Sequence, residues 1–69
     1  MEYSKNMVLL CLFEELINTN KLNPKDIVEK YKINNRQMWS YIKNLKEYFE
    51  TFRNKTIEYN ITDKMYYLK

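Results

Sequence analysis

The chain has 69 residues, with 12 Lys and Arg against 9 Asp and Glu, and its formal net charge is +3. This length predicts a single small domain over residues 1–69. With no His and only one Cys, Cys11, the composition argues against a zinc site and excludes an internal disulfide. The apolar run 7–13 is shorter than the ~20 residues that span a bilayer, and it lacks the cleavage site of a signal peptide. We therefore expect a cytoplasmic protein.

The first predicted helix covers about residues 4–18 and begins at Ser4, a favourable N-cap. At helical spacing, its predicted inward side chains are Leu9, Leu10, Phe13, Leu16 and Ile17. Three further apolar side chains, Met7, Val8 and Cys11, are assigned to the other side. A helix that is apolar on two faces usually buries both, which favours a homodimer through this helix. Scattered surface hydrophobes are the alternative.

The next two predicted helices are separated by only a few residues. The second covers about residues 24–31 and begins after Asn23, because Asn caps a helix and proline fits its first position. The third covers about residues 35–50, where Asn34 and Gln37 have the spacing of a capping box. A short helix, a tight turn and a longer helix are typical of a helix-turn-helix.

The third helix separates an apolar stripe from a polar face. The predicted inward side chains are Met38, Tyr41, Ile42, Leu45 and Phe49. On the polar face, Arg36 has the donors to read guanine, and Asn35 and Gln37 have the amides to read adenine. Ser40 and Lys43 are candidates for phosphate contacts. The alternative is an ordinary solvated face.

The positive charge concentrates on this part of the chain. Residues 24–53 carry seven Lys and Arg against four acids, a net charge of 7 − 4 = +3. Residues 1–23 carry two Lys against three Glu, a net charge of 2 − 3 = −1. This distribution favours nucleic-acid contacts through the second and third helices.

Residues 55–68 predict a β-hairpin, because apolar and polar side chains alternate on both sides of a turn at 61–64. The predicted inward side chains are Ile57, Tyr59, Tyr66 and Leu68. The chain has no glycine, so we expect a turn longer than two residues. Lys55 and Lys64 flank the hairpin and are candidates to contact phosphate or an adjacent minor groove. Leu22 either forms a third short strand or fills the core.

The order of three helices and a hairpin resembles the N-terminal winged helix of DeoR-type and WYL-domain bacterial regulators. NPKDIVEKYKI resembles their second helix and turn, NNRQMWSYIKNLKEYF their recognition helix, and IEYN with YYL their wing strands. The chain departs from them in lacking glycine before the third helix and in the hairpin. It also has Ser40 and Tyr41 where they usually have an Arg-Asp pair.

The resemblance implies an α+β winged helix-turn-helix that binds double-stranded DNA, with the third helix in the major groove and the wing on the flanking backbone. The regulators continue into a ligand-sensing domain, whereas this chain ends after its hairpin. We therefore expect no sensor domain, no small-molecule ligand and no cofactor. Two copies on neighbouring half-sites are expected, since one such module binds weakly.

Small winged helices of this kind are typical of phages, plasmids and other mobile elements. The expected role is a transcriptional regulator, or an architectural or accessory factor in excision or conjugative transfer. The alternative is a protein-interaction module, such as an anti-repressor or inhibitor, acting through the first or third helix. An enzyme is not expected, because the sequence has no His, no glycine-rich phosphate loop and no cluster of metal ligands. Frequent Lys and Asn with little Arg indicate an AT-rich bacterial source.

Overall fold

The computed structural model describes residues 3–69, so residues 1 and 2 of the predicted domain lie outside the described residues. The elements are α1 (Lys5–Thr19), β1 (Lys21–Leu22), α2 (Pro24–Tyr31), α3 (Asn35–Tyr48), a π-helical turn (Phe49–Arg53), β2 (Ile57–Asn60) and β3 (Met65–Leu68). The strands form an antiparallel sheet in the order β1-β3-β2. The predicted α+β class is confirmed, and β1 adds a third strand to the predicted two-stranded hairpin. Within residues 3–69, no helix combines the length and apolar character needed to cross a bilayer.

Each α-helix begins directly after the residue whose side chain was predicted to cap it. The oxygens of Ser4 and Asn23 accept hydrogen bonds from first-turn backbone N–H groups at 3.2 and 3.0 Å. At the start of α3, Asn34 Oδ1 accepts from the Gln37 N–H at 2.8 Å, and the Asn34 N–H donates to Gln37 Oε1 at 3.1 Å. The predicted capping box is therefore confirmed, and it sets the first residue of α3.

The core lies between the helices and one face of the sheet. The buried hydrophobic side chains are Val8, Leu12, Leu16, Leu22, Ile27, Tyr31, Met38, Tyr41, Ile42, Leu45, Phe49 and Ile57. The stripe predicted for the third helix is confirmed in full. In the sheet, Ile57 is buried and Tyr66 and Leu68 are partly buried, whereas Tyr59, which lies nearer the loop, is 47% exposed.

The inward face predicted for α1 is wrong for two residues. Leu10 is 68% exposed and Ile17 is 46% exposed, while Leu12 and Leu16 are buried. The apolar side chains of α1 cover more than half of its circumference, so spacing alone does not select the part of this arc that faces the core. Packing of α1 against β1 and α3 makes that selection and leaves Leu10 and Ile17 outside.

The outer face predicted to mediate a dimer also changes. Val8 was assigned to that face together with Met7 and Cys11, but Val8 is buried in the core at 1% exposure. Met7 and Cys11 are exposed as predicted. The assignment of Val8 to the outer face is therefore wrong, and the homodimer through this helix stays a prediction.

Four residues adopt the left-handed backbone conformation that glycine usually supplies. Asn20, Lys32 and Asn54 follow α1, α2 and the π-helical turn with φ values of 63°, 53° and 54°, and Lys64 has φ of 57° in the hairpin loop. This conformation strains a residue with a side chain by roughly 1–2 kcal/mol, although Asn tolerates it better. Lys32 and Lys64 therefore strain the turn before α3 and the hairpin loop.

Candidate nucleic-acid interface

The outer face of α3 projects away from the core. Arg36, Ser40 and Lys43 are exposed there, on the side opposite the buried stripe, whereas Asn35 is exposed on the side of the first turn that faces the hairpin. The turn before α3 is held by the carbonyl of Val28, which accepts hydrogen bonds from the two backbone N–H groups that follow α2. Because the core anchors α3 along its length, this face is presented as a rigid surface.

Gln37 takes part in the fold as well as in this surface. Its Oε1 accepts the hydrogen bond from the Asn34 N–H, at 3.1 Å. Bidentate reading of adenine requires both the oxygen and the amino group of the amide. Gln37 can therefore read adenine in this way only by giving up its part of the capping box, whereas Asn35 has no such conflict in the structure.

Acidic side chains are confined to the end of the exposed side of α3. Arg36 and Lys43 lie in its first two-thirds, whereas Glu47 lies beside Lys46 in its last turn and Glu50 lies beyond it. Glu50 is further engaged by the Thr56 hydroxyl, which donates to its carboxylate at 2.7 Å. The beginning of α3 is consequently the part suited to an anionic partner.

A cleft of about 610 Å³ separates α3 from the β2–β3 hairpin. Its lining consists of Trp39, Ile42, Lys43, Lys46, Glu47, Glu50, Ile57, Tyr59 and Tyr66. Trp39 is 60% exposed at the cleft edge, and the rings of Tyr59 and Tyr66 lie 5.0 Å apart across the two strands. Trp39 therefore borders the hairpin side of α3 with most of its surface exposed.

A second groove brings the hairpin loop to the start of α3. Its lining includes Lys64 and Asn35, two residues predicted as contacts, together with Lys25 from the first turn of α2. Lys25 was not among the contacts predicted from the sequence. A lysine in the first turn of the helix before the turn was the available signal, because in a helix-turn-helix that helix crosses the DNA backbone.

Lys55 lies apart from the other predicted contacts. It borders a groove at the base of the hairpin that is also lined by Glu50, Thr56 and Lys69. The structure therefore joins Lys64, but not Lys55, to the beginning of α3.

Two tyrosines of the hairpin, Tyr66 and Tyr67, have hydroxyl pKa values raised above the ordinary value. Burial raises the pKa of the Tyr66 hydroxyl above its usual value, with a further contribution from Tyr59. A hydrogen bond donated to the Asp63 carboxylate raises the pKa of Tyr67, on the other face of the sheet. These hydroxyls can therefore donate hydrogen bonds but carry no charge near pH 7.

Within residues 3–69, no three His, Cys, Asp or Glu side chains are grouped so that they could hold a metal ion. The chain was also compared with known proteins. No protein-family model, no curated protein and no solved structure matches it.

Proposed function

We propose that this protein binds double-stranded DNA as a winged helix-turn-helix, with the beginning of α3 in the major groove and the hairpin on the flanking backbone. One observation carries the proposal: Arg36, Ser40 and Lys43 are exposed together on the outer side of α3, and Asn35, at the start of α3, lines one groove with Lys64 of the hairpin loop. Helix-turn-helix proteins contact base edges with the first residues of this helix.

The arrangement of the elements supports the same reading. α2 and α3 are joined by a tight turn, and a hairpin follows α3 and forms a cleft with it. A recognition helix flanked by a hairpin is the layout of a winged helix. The strand order β1-β3-β2 ties the hairpin to the segment before α2, which supports a hairpin held firmly relative to α3.

The residues differ in their proposed roles. Arg36 reads guanine through its two parallel donors, and Asn35 reads adenine. Ser40, Lys43 and Lys64 contact phosphate, and Lys25 joins them at the start of α2. Gln37 serves first as the partner of Asn34 in the capping box of α3. Lys55 is the weakest of the proposed contacts, since it lies at the far end of the hairpin.

The biological role we propose is that of a non-enzymatic DNA-binding factor of a phage, plasmid or other mobile element. It would act as a transcriptional regulator or as an accessory factor in excision or conjugative transfer. A single module of this size buries only about 600–1,000 Å² on DNA, so two copies on neighbouring half-sites are proposed. The second candidate function is a protein-interaction module, which the exposed apolar side chains Leu10, Ile17 and Phe52 favour.

Fluorescence anisotropy tests the proposal. The labelled duplexes are DNA from upstream of the protein's own gene and a scrambled duplex of the same composition, each titrated across a salt series. We expect sequence-dependent binding whose log K falls linearly with log salt, with a slope of about −0.9 for each phosphate contacted.

The matched variants are Arg36→Ala, on the outer face of α3, and Lys30→Ala. Lys30 is an exposed cation that lines the groove between α1 and α2, away from this face. Arg36→Ala should lose the preference for the target, and Lys30→Ala should retain it. Binding to every duplex only in the nonspecific range of about 10⁻⁴ to 10⁻⁶ M would overturn the proposal.

A further inference from the structure

The cleft between α3 and the β2–β3 hairpin has a loop end and a base end. At the loop end, Lys64 and Tyr59 line one groove with Asn35, so the start of α3 lies beside the hairpin loop. At the base end, the Thr56 hydroxyl donates to the Glu50 carboxylate at 2.7 Å, so the turn that follows α3 lies beside the base of the hairpin. The position of a residue along α3 therefore gives its position along the cleft.

Aromatic side chains line both walls of the cleft towards its loop end. Trp39, in the first half of α3, lines one wall, and Tyr59 and Tyr66 line the other. The two tyrosines face each other next to the last pair of the hairpin ladder, with ring centroids 5.0 Å apart. Trp39 is 60% exposed and Tyr59 is 47% exposed. The cleft, at about 610 Å³, therefore offers aromatic surface and enough space to a planar ring.

Lysines accompany these aromatic rings. Tyr59 lines both the cleft and the groove at the start of α3, so the two depressions are continuous through its side chain. The groove contributes Lys25 and Lys64, and the cleft contributes Lys43 and Lys46. Aromatic side chains interspersed with cations are the arrangement with which proteins hold single-stranded nucleic acids, because bases stack on the rings while phosphates contact the cations.

Carboxylates also border the two depressions, and they narrow the choice of partner. They are Glu29, Glu47, Glu50 and Asp63. Glu50 and Asp63 each accept a hydrogen bond from a neighbouring hydroxyl, and Glu47 lies two helical turns beyond Trp39, towards the base end. Four lysines face four carboxylates, so net charge does not select a partner here. A partner that presents both planar rings and phosphates matches the aromatic walls and the lysines together.

We propose that this cleft binds an unpaired base of single-stranded DNA, stacked on Trp39 and Tyr59, with the adjacent phosphates on Lys43 and Lys64. In a duplex the faces of the bases are covered by their neighbours, so a single strand is the form of DNA that offers them. Stacking on an aromatic side chain strengthens binding by a factor of about five or more for each base. The site goes beyond the proposed reading of duplex DNA and does not rest on it.

Tryptophan fluorescence tests the site directly, because Trp39 is the single tryptophan of the chain. The full chain is titrated with a single-stranded oligonucleotide of about 12 thymidines and, separately, with thymidine monophosphate. We expect the oligonucleotide to quench the fluorescence of Trp39 with saturation, since a base stacks on the indole ring. The monophosphate should quench less at the same nucleotide concentration, because it lacks the neighbouring phosphates that reach the lysines.

Variants show which side chains carry the affinity, measured by the anisotropy of the labelled oligonucleotide. Trp39→Ala and Tyr59→Ala should each weaken binding by at least about fivefold, whereas Trp39→Phe, which keeps an aromatic ring, should retain most of the affinity. The matched control is Phe52→Ala, since Phe52 is 73% exposed but lines neither the cleft nor the groove. This control should bind as the unchanged chain does, and circular dichroism verifies that each variant is folded.

Three results would overturn the proposal. They are the absence of saturable quenching, equal quenching by the monophosphate, and a folded Tyr59→Ala variant that binds the oligonucleotide as tightly as the unchanged chain. An equal loss of affinity in Phe52→Ala would also contradict it, because binding would then not depend on the cleft. The single-strand titrations contain no duplex, so their failure leaves the duplex preference tested with Arg36→Ala unaffected, and the reverse also holds.

Discussion

α1 and α3 are nearly equal in length, at 15 and 14 residues, yet they present opposite kinds of outer surface. α3 buries a narrow apolar stripe and exposes polar and basic side chains. α1 carries a wider apolar arc than the core can cover and exposes Leu10 and Ile17. The comparison shows that two helices can each bury a well-defined inner face while the outer face of one is polar and the outer face of the other is apolar.

The largest expected effect concerns the two sides of α1. Leu12→Ala should lower the free energy of unfolding by about 2–5 kcal/mol, because Leu12 is buried and the substitution leaves a cavity. Leu10→Ala, an identical change two residues away on the exposed side, should change it by less than about 0.5 kcal/mol. Urea denaturation followed by circular dichroism measures both. Equal losses would mean that Leu10 belongs to the core and that the two faces of α1 are misassigned.

The next effect compares two side chains on the outer face of α3. If the proposed function is correct, Arg36→Ala should weaken binding to the target duplex by about 1–3 kcal/mol and relax specificity, because it removes the proposed base contact. Lys43→Ala should weaken binding to all duplexes similarly and reduce the slope of log K against log salt by about 1. The anisotropy titrations distinguish the two variants. If Arg36→Ala weakened target and scrambled duplexes alike, its role would be that of a phosphate contact.

A smaller effect on the free energy of unfolding is expected at the start of α3, with the start of α1 as the comparison. Gln37→Ala should lower the free energy of unfolding by about 1 kcal/mol, because it removes one of the two hydrogen bonds of the capping box. Gln37→Glu should keep the stability of the unchanged chain, since a carboxylate accepts the same hydrogen bond and suits the helix dipole. At α1, which begins with the single cap Ser4, Lys5→Ala is the matched control and should have little effect. Thermal unfolding compares the three, and a neutral Gln37→Ala would contradict the structural role of this side chain.

The smallest effect on stability is expected at the residues that end α1 and α2. Lys32→Gly should raise the free energy of unfolding by up to about 1 kcal/mol, because glycine adopts the left-handed conformation without strain. Asn20→Gly, at the residue after α1, should raise the free energy of unfolding by less, since Asn already tolerates this conformation. Chemical denaturation detects the difference. A loss of stability in Lys32→Gly would show that the lysine side chain contributes more than its backbone strain removes.

Sequence reasoning succeeded where local rules and tertiary packing agree. Asn23, Asn34 and Gln37 cap their helices because the hydrogen bonds involved reach only two or three residues along the chain. The apolar stripe of α3 is separated from polar neighbours, so its period alone indicates the inner face. Of the proposed contacts, the exposed positions on α3 followed from the same period.

Tertiary structure was needed wherever more than one arrangement satisfied the local rules. Gln37 fits both a cap and a base contact, and only the folded structure assigns its oxygen to the cap. The two hairpin lysines look equivalent in the sequence, yet Lys64 borders the start of α3 and Lys55 does not. The distance between them depends on how the hairpin packs, which no local pattern encodes.

The amino-acid sequence by itself determined the helices, their first residues, the hairpin and the polar face of α3, because hydrogen bonds and periodicity act over a few neighbouring residues. Only the tertiary structure decided which part of α1 is buried, how β1 joins the sheet and where Phe52 points. Those outcomes depend on packing between elements distant in the chain, and on a π-helical turn whose residues differ little from those of an ordinary helix. The cleft between α3 and the hairpin is likewise a property of the fold rather than of any single segment.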